Sequence, residues 1–210
     1  MTDIIRNLRD RVPIRPLSVI EAVRVAELQA SRFLELAAIT KPPVPESMIS
    51  GLPRVQVERM AAAPMSGATQ WSHGRWLIVV NGAEPKVRQR FSVAHEFKHV
   101  LDNPFIAKLY PSVPGQTAAE RAEAVCDYFA GCLLMPRAWV KRLYCDEGVQ
   151  DLRRLALRFD VSQMAMQVRL LQIGLVDPGP RCATRHRVDA GAVFEAAWLE
   201  RSASMTKAAA

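Results

Sequence analysis

Residues 88–101 read Arg-Gln-Arg-Phe-Ser-Val-Ala-His-Glu-Phe-Lys-His-Val-Leu and contain the pattern His-Glu-x-x-His in a run that favours a helix. Residues four apart lie on one face of an α-helix, so His95 and His99 can offer two imidazoles to one metal ion. Glu96 lies beside them, about 100° round the helix, where it can take a proton from an activated water. The pattern predicts a metal-dependent hydrolase; two surface histidines on a helix are the alternative.

A third ligand is needed, because a hydrolytic zinc site usually has three protein ligands and one open position. Asp102 shares the histidine face, but it lies about 10 Å along the helix axis from His95, too far to share one ion. Glu123 is the better candidate, in a second segment with helical periodicity. Asp127 points the same way and would accept the far ring N–H of a histidine ligand. Two solvated acids are the alternative for this pair.

Two longer stretches carry a resemblance to a known family. Residues 88–99 fit the pattern R-x-R-F-[ST]-x-A-H-E-x-G-H at every fixed position except Lys98. Residues 123–136, Glu-Ala-Val-Cys-Asp-Tyr-Phe-Ala-Gly-Cys-Leu-Leu-Met-Pro, end in F-A-x-x-L-L-M-P. Together they resemble the ImmA/IrrE family of metallo-endopeptidases, whose zinc site has the gluzincin arrangement. The resemblance covers about residues 20–176.

The resemblance implies an α+β fold. We expect a mostly helical, zincin-like domain with a small three-stranded antiparallel sheet and a C-terminal helix-turn-helix-like pair. It also implies one Zn²⁺ per chain, held by His95, His99 and Glu123, although Mn²⁺ or Fe²⁺ could load the same ligands. Glu96 would be the catalytic base. The substrate would be a helix-turn-helix repressor or antitoxin encoded nearby, whose cleavage derepresses genes.

The chain departs from the family pattern at two places. Lys98 stands where the family usually has Gly, next to the ligands, and its side chain is expected to lean toward the cleft or out to solvent. Val125-Cys126-Asp127 stands where the family often has Glu-Ala-Asn. Glu123 therefore remains the expected ligand, with Glu120 as the weaker alternative.

Composition limits the class of protein. The 210 residues are half apolar, and 28 basic against 21 acidic side chains give a net charge of +7. The basic residues are scattered, so a solvated surface is favoured over a nucleic-acid interface. No run approaches a membrane span, and the N-terminus lacks the features of a signal peptide. We therefore expect a cytoplasmic protein with no membrane partner. The four cysteines are expected to be reduced rather than to form a structural zinc site.

Three parts are predicted along the chain. Residues 1–17 form an N-terminal arm, expected to be poorly ordered; 18–176 form the metallopeptidase domain; 177–210 form a C-terminal tail. Within the tail, Val193 to Leu199 could form a short amphipathic helix. The strands are expected at Arg54–Arg59, near Thr69–Ser72 and through Trp76–Val80, as an antiparallel meander.

Residues 149–175 have the order of a helix-turn-helix. Their second helix is apolar with Arg169 as its one charge, which is typical of a packing helix, so direct nucleic-acid binding is not expected. A DNA-binding regulator remains one rival, and a proteolytically silent metal-bearing module of a toxin–antitoxin or regulatory pair is another. Tyr110, in the loop after the motif helix, could stabilise a developing oxyanion; a packing tyrosine is the alternative.

Overall fold

Helices supply most of the structure, which is a computed structural model that describes residues 3–61 and 63–177. The helices are α1 (Ile4–Arg9), α2 (Val19–Leu36), α3 (Ser47–Ser50), α4 (Lys86–Asp102), α5 (Ile106–Leu109), α6 (Ala118–Leu134), α7 (Arg137–Lys141), α8 (Leu152–Phe159) and α9 (Gln163–Gln172), with a π-helical turn at Arg142–Asp146. The strands are β1 (Val55–Met60), β2 (Gly67–Ser72) and β3 (Arg75–Asn81). The α+β class is confirmed. Among the described helices, none has the length and apolar character needed to cross a membrane.

Capping boxes start the two helices that frame the core. Ser18 accepts from the backbone N–H of Glu21 at the start of α2, and the Glu21 carboxylate accepts from the Ser18 N–H in return. Thr117 and Glu120 make the same reciprocal pair at the start of α6. Each pair satisfies backbone donors that a helix start would otherwise leave without acceptors. Glu120, the alternative metal ligand, is therefore engaged in capping.

Helices α2, α4 and α6 pack together, and α4 also lies against the sheet. Phe97 at the centre of α4 touches Phe33 of α2 and Phe129 of α6, with ring centroids 5.4 and 6.3 Å apart. All three rings are fully buried. Burying side chains of this size contributes about 1.5–3 kcal/mol each relative to exposure, so this aromatic contact fixes α4 against α6.

The sheet order is β1-β3-β2, and the antiparallel meander predicted from the sequence is wrong. β2 and β3 form an antiparallel hairpin, but β1 pairs with β3 in parallel. Ile78 and Val80 of β3 are fully buried, which is typical of a central strand. The connection from β1 to β2 is long enough to pass the end of β3, so β1 does not have to pair with the next strand along the chain. β2 consequently lies at an edge of the sheet, beside α4.

The N-terminal residues do not form the poorly ordered arm expected from the sequence. Leu8 of α1 is fully buried, and Val12 and Leu17 are nearly so. The Arg9 guanidinium donates to the carbonyls of Val100 and Leu101 at the end of α4. The segment packs because Ile4, Ile5 and Leu8 lie on one face of α1 and contact the core, and Val12 and Leu17 follow in the irregular stretch after the helix. The three-part division of the chain stays a prediction, and the tail from 178, including the helix expected at Val193 to Leu199, lies outside the described residues.

Candidate metal centre

α4 and α6 bring the predicted ligands together. His95 Nε2 lies 3.1 Å from Glu123 Oε2, His99 Nε2 lies 3.2 Å from Glu123 Oε1, and the two Nε2 atoms are 3.2 Å apart. Three donors tetrahedrally bound to zinc, with bonds of about 2.0–2.2 Å, stand about 3.3–3.5 Å from one another. The three side chains therefore already have nearly the spacing that one zinc ion requires.

Asp127 orients the first histidine. Its Oδ1 accepts from His95 Nδ1–H at 3.0 Å, which leaves Nε2 directed at Glu123 and His99. The i,i+4 spacing of Glu123 and Asp127 on α6 places one carboxylate at each ring nitrogen of His95. We name His95, His99, Glu123 and Asp127 the metal cluster. Its side chains are 14% to 46% exposed, so the cluster is open to solvent on one side.

The charges of the metal cluster favour a bound cation. Burial lowers the pKa of His95, but hydrogen bonds to Asp127 and Glu123 outweigh it and raise that pKa to about 10. For Glu123, burial raises the pKa, but the two histidines outweigh this and hold it well below its usual range. In the metal-free protein a proton on His95 satisfies the two carboxylates. A divalent cation satisfies the same carboxylates and also accepts the lone pairs of both imidazoles.

Glu96 lies one residue from the first histidine, against the edge strand β2. It is 7% exposed, and its Oε2 accepts a hydrogen bond from Thr69 Oγ1 at 2.8 Å. A Cβ at Gly67 would come within 2.8 Å of Glu96 Oε1, so a larger residue there would force the Glu96 carboxylate to move. Sequence reasoning missed Thr69 and Gly67, because nothing in the pattern of β2 shows which residue of α4 it faces.

Cys126 is a further residue that the sequence did not single out as a ligand. It is buried on α6, and ligand atoms of His95, His99 and Cys126 all lie within 4.8 Å of one another. Burial raises the pKa of its thiol well above the usual range, and only a thiolate binds metal well. The ionised Glu123 carboxylate already contacts both imidazoles, so we retain it as the third ligand.

Residues 53–171 match the model of the IrrE N-terminal-like domain, a family of M78 peptidases. The chain belongs to this family. The matched range contains the whole metal cluster, the three strands and the pair α8–α9.

Two curated members of the family are similar to this chain. The radiation response metalloprotease IrrE of Deinococcus radiodurans is 25% identical over 215 residues, covering 94% of this chain and 65% of that protein. The protein of the same name from Deinococcus deserti is 30% identical over 141 residues, covering 63% of this chain and 50% of that protein. The chain thus spans between half and about two thirds of the length of these relatives.

A solved structure, a Mycobacterium tuberculosis transcriptional regulator, has a similar fold. Its TM-score is 0.58 at 15% identity, over 80% of this chain and 51% of that chain. At this identity the likeness concerns the fold alone.

Lys98, the main departure from the family pattern, faces neither the cleft nor solvent. Its side chain is fully buried, and Nζ donates to Asp102 Oδ1 at 2.6 Å and to Gln29 Oε1 at 2.7 Å. The expectation is wrong because three residues along a helix turn the side chain toward α2 and the core. We name Lys98, Asp102, Tyr110 and Gln29 the buried cluster.

Tyr110 belongs to the buried cluster and does not stabilise an oxyanion from there. It is 1% exposed, and its hydroxyl donates to Asp102 Oδ2 at 2.7 Å. Burial and the neighbouring Asp102 carboxylate raise the pKa of Tyr110 far above its usual range. The alternative interpretation, in which Tyr110 is a packing residue, agrees with these contacts, because its one O–H is bonded inside the core. Asp102, set aside as a ligand on axial distance, is fully buried in the same cluster.

Proposed function

We propose that the chain is a zinc-dependent endopeptidase. The observation that carries this proposal is the approach of His95, His99 and Glu123 to within 3.1–3.2 Å of one another beside a buried carboxylate, Glu96. A zinc ion held there would supply Lewis acidity toward the scissile carbonyl and lower the pKa of water. Asp127 would hold the His95 tautomer that such an ion needs.

In this proposal Glu96 moves the proton. Its Oε2 is held by the Thr69 hydroxyl. Oε1, which accepts no hydrogen bond from the described residues, can take a proton from the attacking water. The same oxygen then passes the proton to the departing amine. Thr69 keeps the carboxylate oriented between the two transfers, and burial beside β2 limits its contact with bulk water.

An extended substrate segment would bind along β2. In the described sheet, β2 pairs with β3 on one side only, which leaves its other edge with backbone donors and acceptors for a peptide. Gly67 and Thr69 at the start of this strand contact Glu96. A peptide paired with β2 would therefore pass close to the proposed base. By resemblance to the family, the protein cleaved would be a helix-turn-helix repressor or antitoxin.

The metal-bearing but silent binding module remains the second candidate. The presence of Lys98 beside the ligands would favour it if the ammonium group faced the metal, because a cation there would oppose a metal dication. Its ammonium group is instead buried against Asp102 and Gln29. With that objection removed, the position of Glu96 favours the peptidase.

Glu96→Gln separates the two candidates. Helix-turn-helix proteins encoded nearby would be co-expressed with the native chain, with Glu96→Gln, and with Glu58→Gln, which changes an exposed acid on β1. We expect the native chain and Glu58→Gln to cut one of these proteins, and a chelator to prevent the cut. Glu96→Gln should bind the same protein and keep its metal, but cut it about 10²–10⁴-fold more slowly. Binding and regulation by both forms with no fragment would replace the peptidase with the silent module.

A further inference from the structure

A cavity of about 590 Å³ lies apart from the metal cluster, between α2, α6, α7 and α9. Pockets that hold small molecules commonly measure about 300–1,000 Å³. One side of it is apolar, with Leu34, Ile39 and Trp139 in the lining. The proposed peptidase mechanism makes no use of this space.

Arg169 of α9 lines the cavity with an incompletely bonded guanidinium. The residue is 1% exposed; its Nε donates to the Met135 carbonyl at 3.0 Å and its Nη1 reaches Gln172 Oε1 only at 3.4 Å. Nη2 is buried and forms no hydrogen bond among the described residues, although the Tyr128 and Cys132 side chains interact with the same guanidinium. Glu27 Oε1 lies 3.8 Å away, beyond hydrogen-bond range. A buried cation with a donor in this state is costly, and an added acceptor would lower that cost.

The charged side chains that line the cavity indicate which charge a bound molecule would carry. Three cationic side chains, Arg137, Lys141 and Arg169, face two acidic ones, Glu27 and Glu35. The difference is one positive charge, which a single negative charge balances. A carboxylate also fits the planar fork of a guanidinium better than a spherical ion does.

We propose that this cavity binds a small molecule with one carboxylate and an apolar body. The carboxylate would pair with Arg169, and the body would pack against Trp139. The guanidinium also lies over the Tyr128 ring, 5.6 Å from its centroid. Cys132 of α6 lines the cavity, so the occupant would contact the helix that carries half of the metal cluster.

Phenylacetate is a suitable probe, with phenylacetamide as its uncharged match. The full-length, metal-loaded protein would be titrated with each compound to about 10 mM while the ¹⁵N–¹H signals of the Trp139 indole and the Arg169 Nε–H are followed. We expect saturable shifts of both signals with phenylacetate and at least tenfold weaker binding of phenylacetamide. Absence of a shift with phenylacetate, or equal affinity for the two compounds, would overturn the proposal.

Two variants place the binding in the cavity. Ser31 is an exposed residue of α2 that lines it, so Ser31→Phe should fill its mouth and abolish the shifts. Leu28→Phe makes a similar change on the same helix outside the lining and should leave binding unchanged. Binding that survives Ser31→Phe would place the probe elsewhere and overturn the assignment.

Glu27→Gln tests the pairing with Arg169 without removing the support that Arg169 gives to the Met135 carbonyl. Loss of the competing acid should tighten phenylacetate binding roughly two- to fivefold, the range for one partly exposed charge nearby. Phenylacetamide binding should not change. Unchanged or weaker phenylacetate binding in this variant would show that its carboxylate does not pair with Arg169.

Discussion

His95 and Lys98 lie three residues apart on α4, yet their side chains enter opposite kinds of surroundings. The metal cluster around His95 is partly open, and its two imidazole Nε2 atoms and a carboxylate converge on one point. The buried cluster around Lys98 is closed, and each of its groups has a complementary partner within 2.7 Å. The first arrangement can exchange its proton for a metal cation, whereas the second already contains the Lys98 ammonium group. This difference distinguishes the proposed metal site from a structural ion pair.

The largest effect is expected from removing the third ligand. Glu123→Ala should reduce the zinc content from near one ion per chain to a small fraction of that value, because two imidazoles alone hold zinc weakly. The unfolding free energy of the metal-free variant should stay close to that of the metal-free native chain. Elemental analysis of dialysed protein gives the first quantity, and a urea titration of the metal-free chain gives the second.

Glu120→Ala is the control for that experiment. It removes a capping partner of Thr117 on the same helix, which costs about 0.5–2 kcal/mol of stability, and should leave the metal content unchanged. Full metal occupancy in Glu123→Ala would assign the third ligand to another residue, with Cys126 the next to test.

Breaking the buried cluster should give the opposite result. Lys98→Met leaves the Asp102 carboxylate fully buried without its cation, and such losses cost about 3–5 kcal/mol of unfolding free energy. Metal binding per folded chain should persist. Urea unfolding of Lys98→Met is best compared with Arg142→Ala, which removes an exposed partner of Glu147 and should cost about 1 kcal/mol or less. Equal losses in the two variants would mean that the Lys98–Asp102 pair contributes no more than a surface pair.

Asp127→Asn should have a smaller effect on the metal cluster than Glu123→Ala. The amide can still accept from His95 Nδ1–H, but it no longer provides a negative charge that raises the basicity of the ring. Zinc affinity should fall by about 10–100-fold, with folding retained. Competition with a chromophoric chelator measures this change. Affinity equal to that of the native chain would remove Asp127 from the supporting role.

The smallest expected effect is the number of protons released when zinc binds. With its pKa raised to about 10, His95 is protonated at pH 7.5 in the metal-free protein, and zinc must displace that proton. Calorimetric titrations in two buffers of different ionisation enthalpy should therefore show about one proton released per zinc. Release near zero would mean that His95 is already neutral.

The raised pKa of His95 also makes the stability of the metal-free chain depend on pH. A histidine whose pKa is higher in the folded chain stabilises that chain fully below its unfolded value near 6.5, and this contribution disappears as the pH rises toward about 10. The metal-free chain should show this loss between those values. The zinc-loaded chain should not, because its His95 carries no proton to lose.

The metal cluster was predictable because it depends on local spacing. The i,i+4 pairs on α4 and α6 are encoded in short stretches of sequence, and so are the capping residues Ser18 and Thr117 that the structure shows. The strands were also located to within about two residues, the usual uncertainty of boundaries. The roles of the cluster residues remain proposals.

The remainder depends on pairings between distant segments. Lys98 meets Gln29, 69 residues earlier in the chain, and no local pattern encodes that contact. The parallel pairing of β1 with β3 was missed because alternation shows which face of a strand is buried, not which strand lies next to it. The N-terminal segment had a local signal that was overlooked, the spacing of Ile4, Ile5 and Leu8 on one face of α1.

The bonds from Arg9 to Val100 and Leu101 have a consequence for synthesis. They join residues 91 and 92 positions apart, so at about 5–20 residues per second the ribosome delivers the acceptors on the order of 5–20 s after the donor. Through most of that interval α2 is the available neighbour for α1, through the bond from Gln29 to the Leu8 carbonyl. A nascent chain of intermediate length therefore exposes the apolar surface that α4 covers in the folded protein. At this length the chain should be most prone to aggregation and to capture by chaperones.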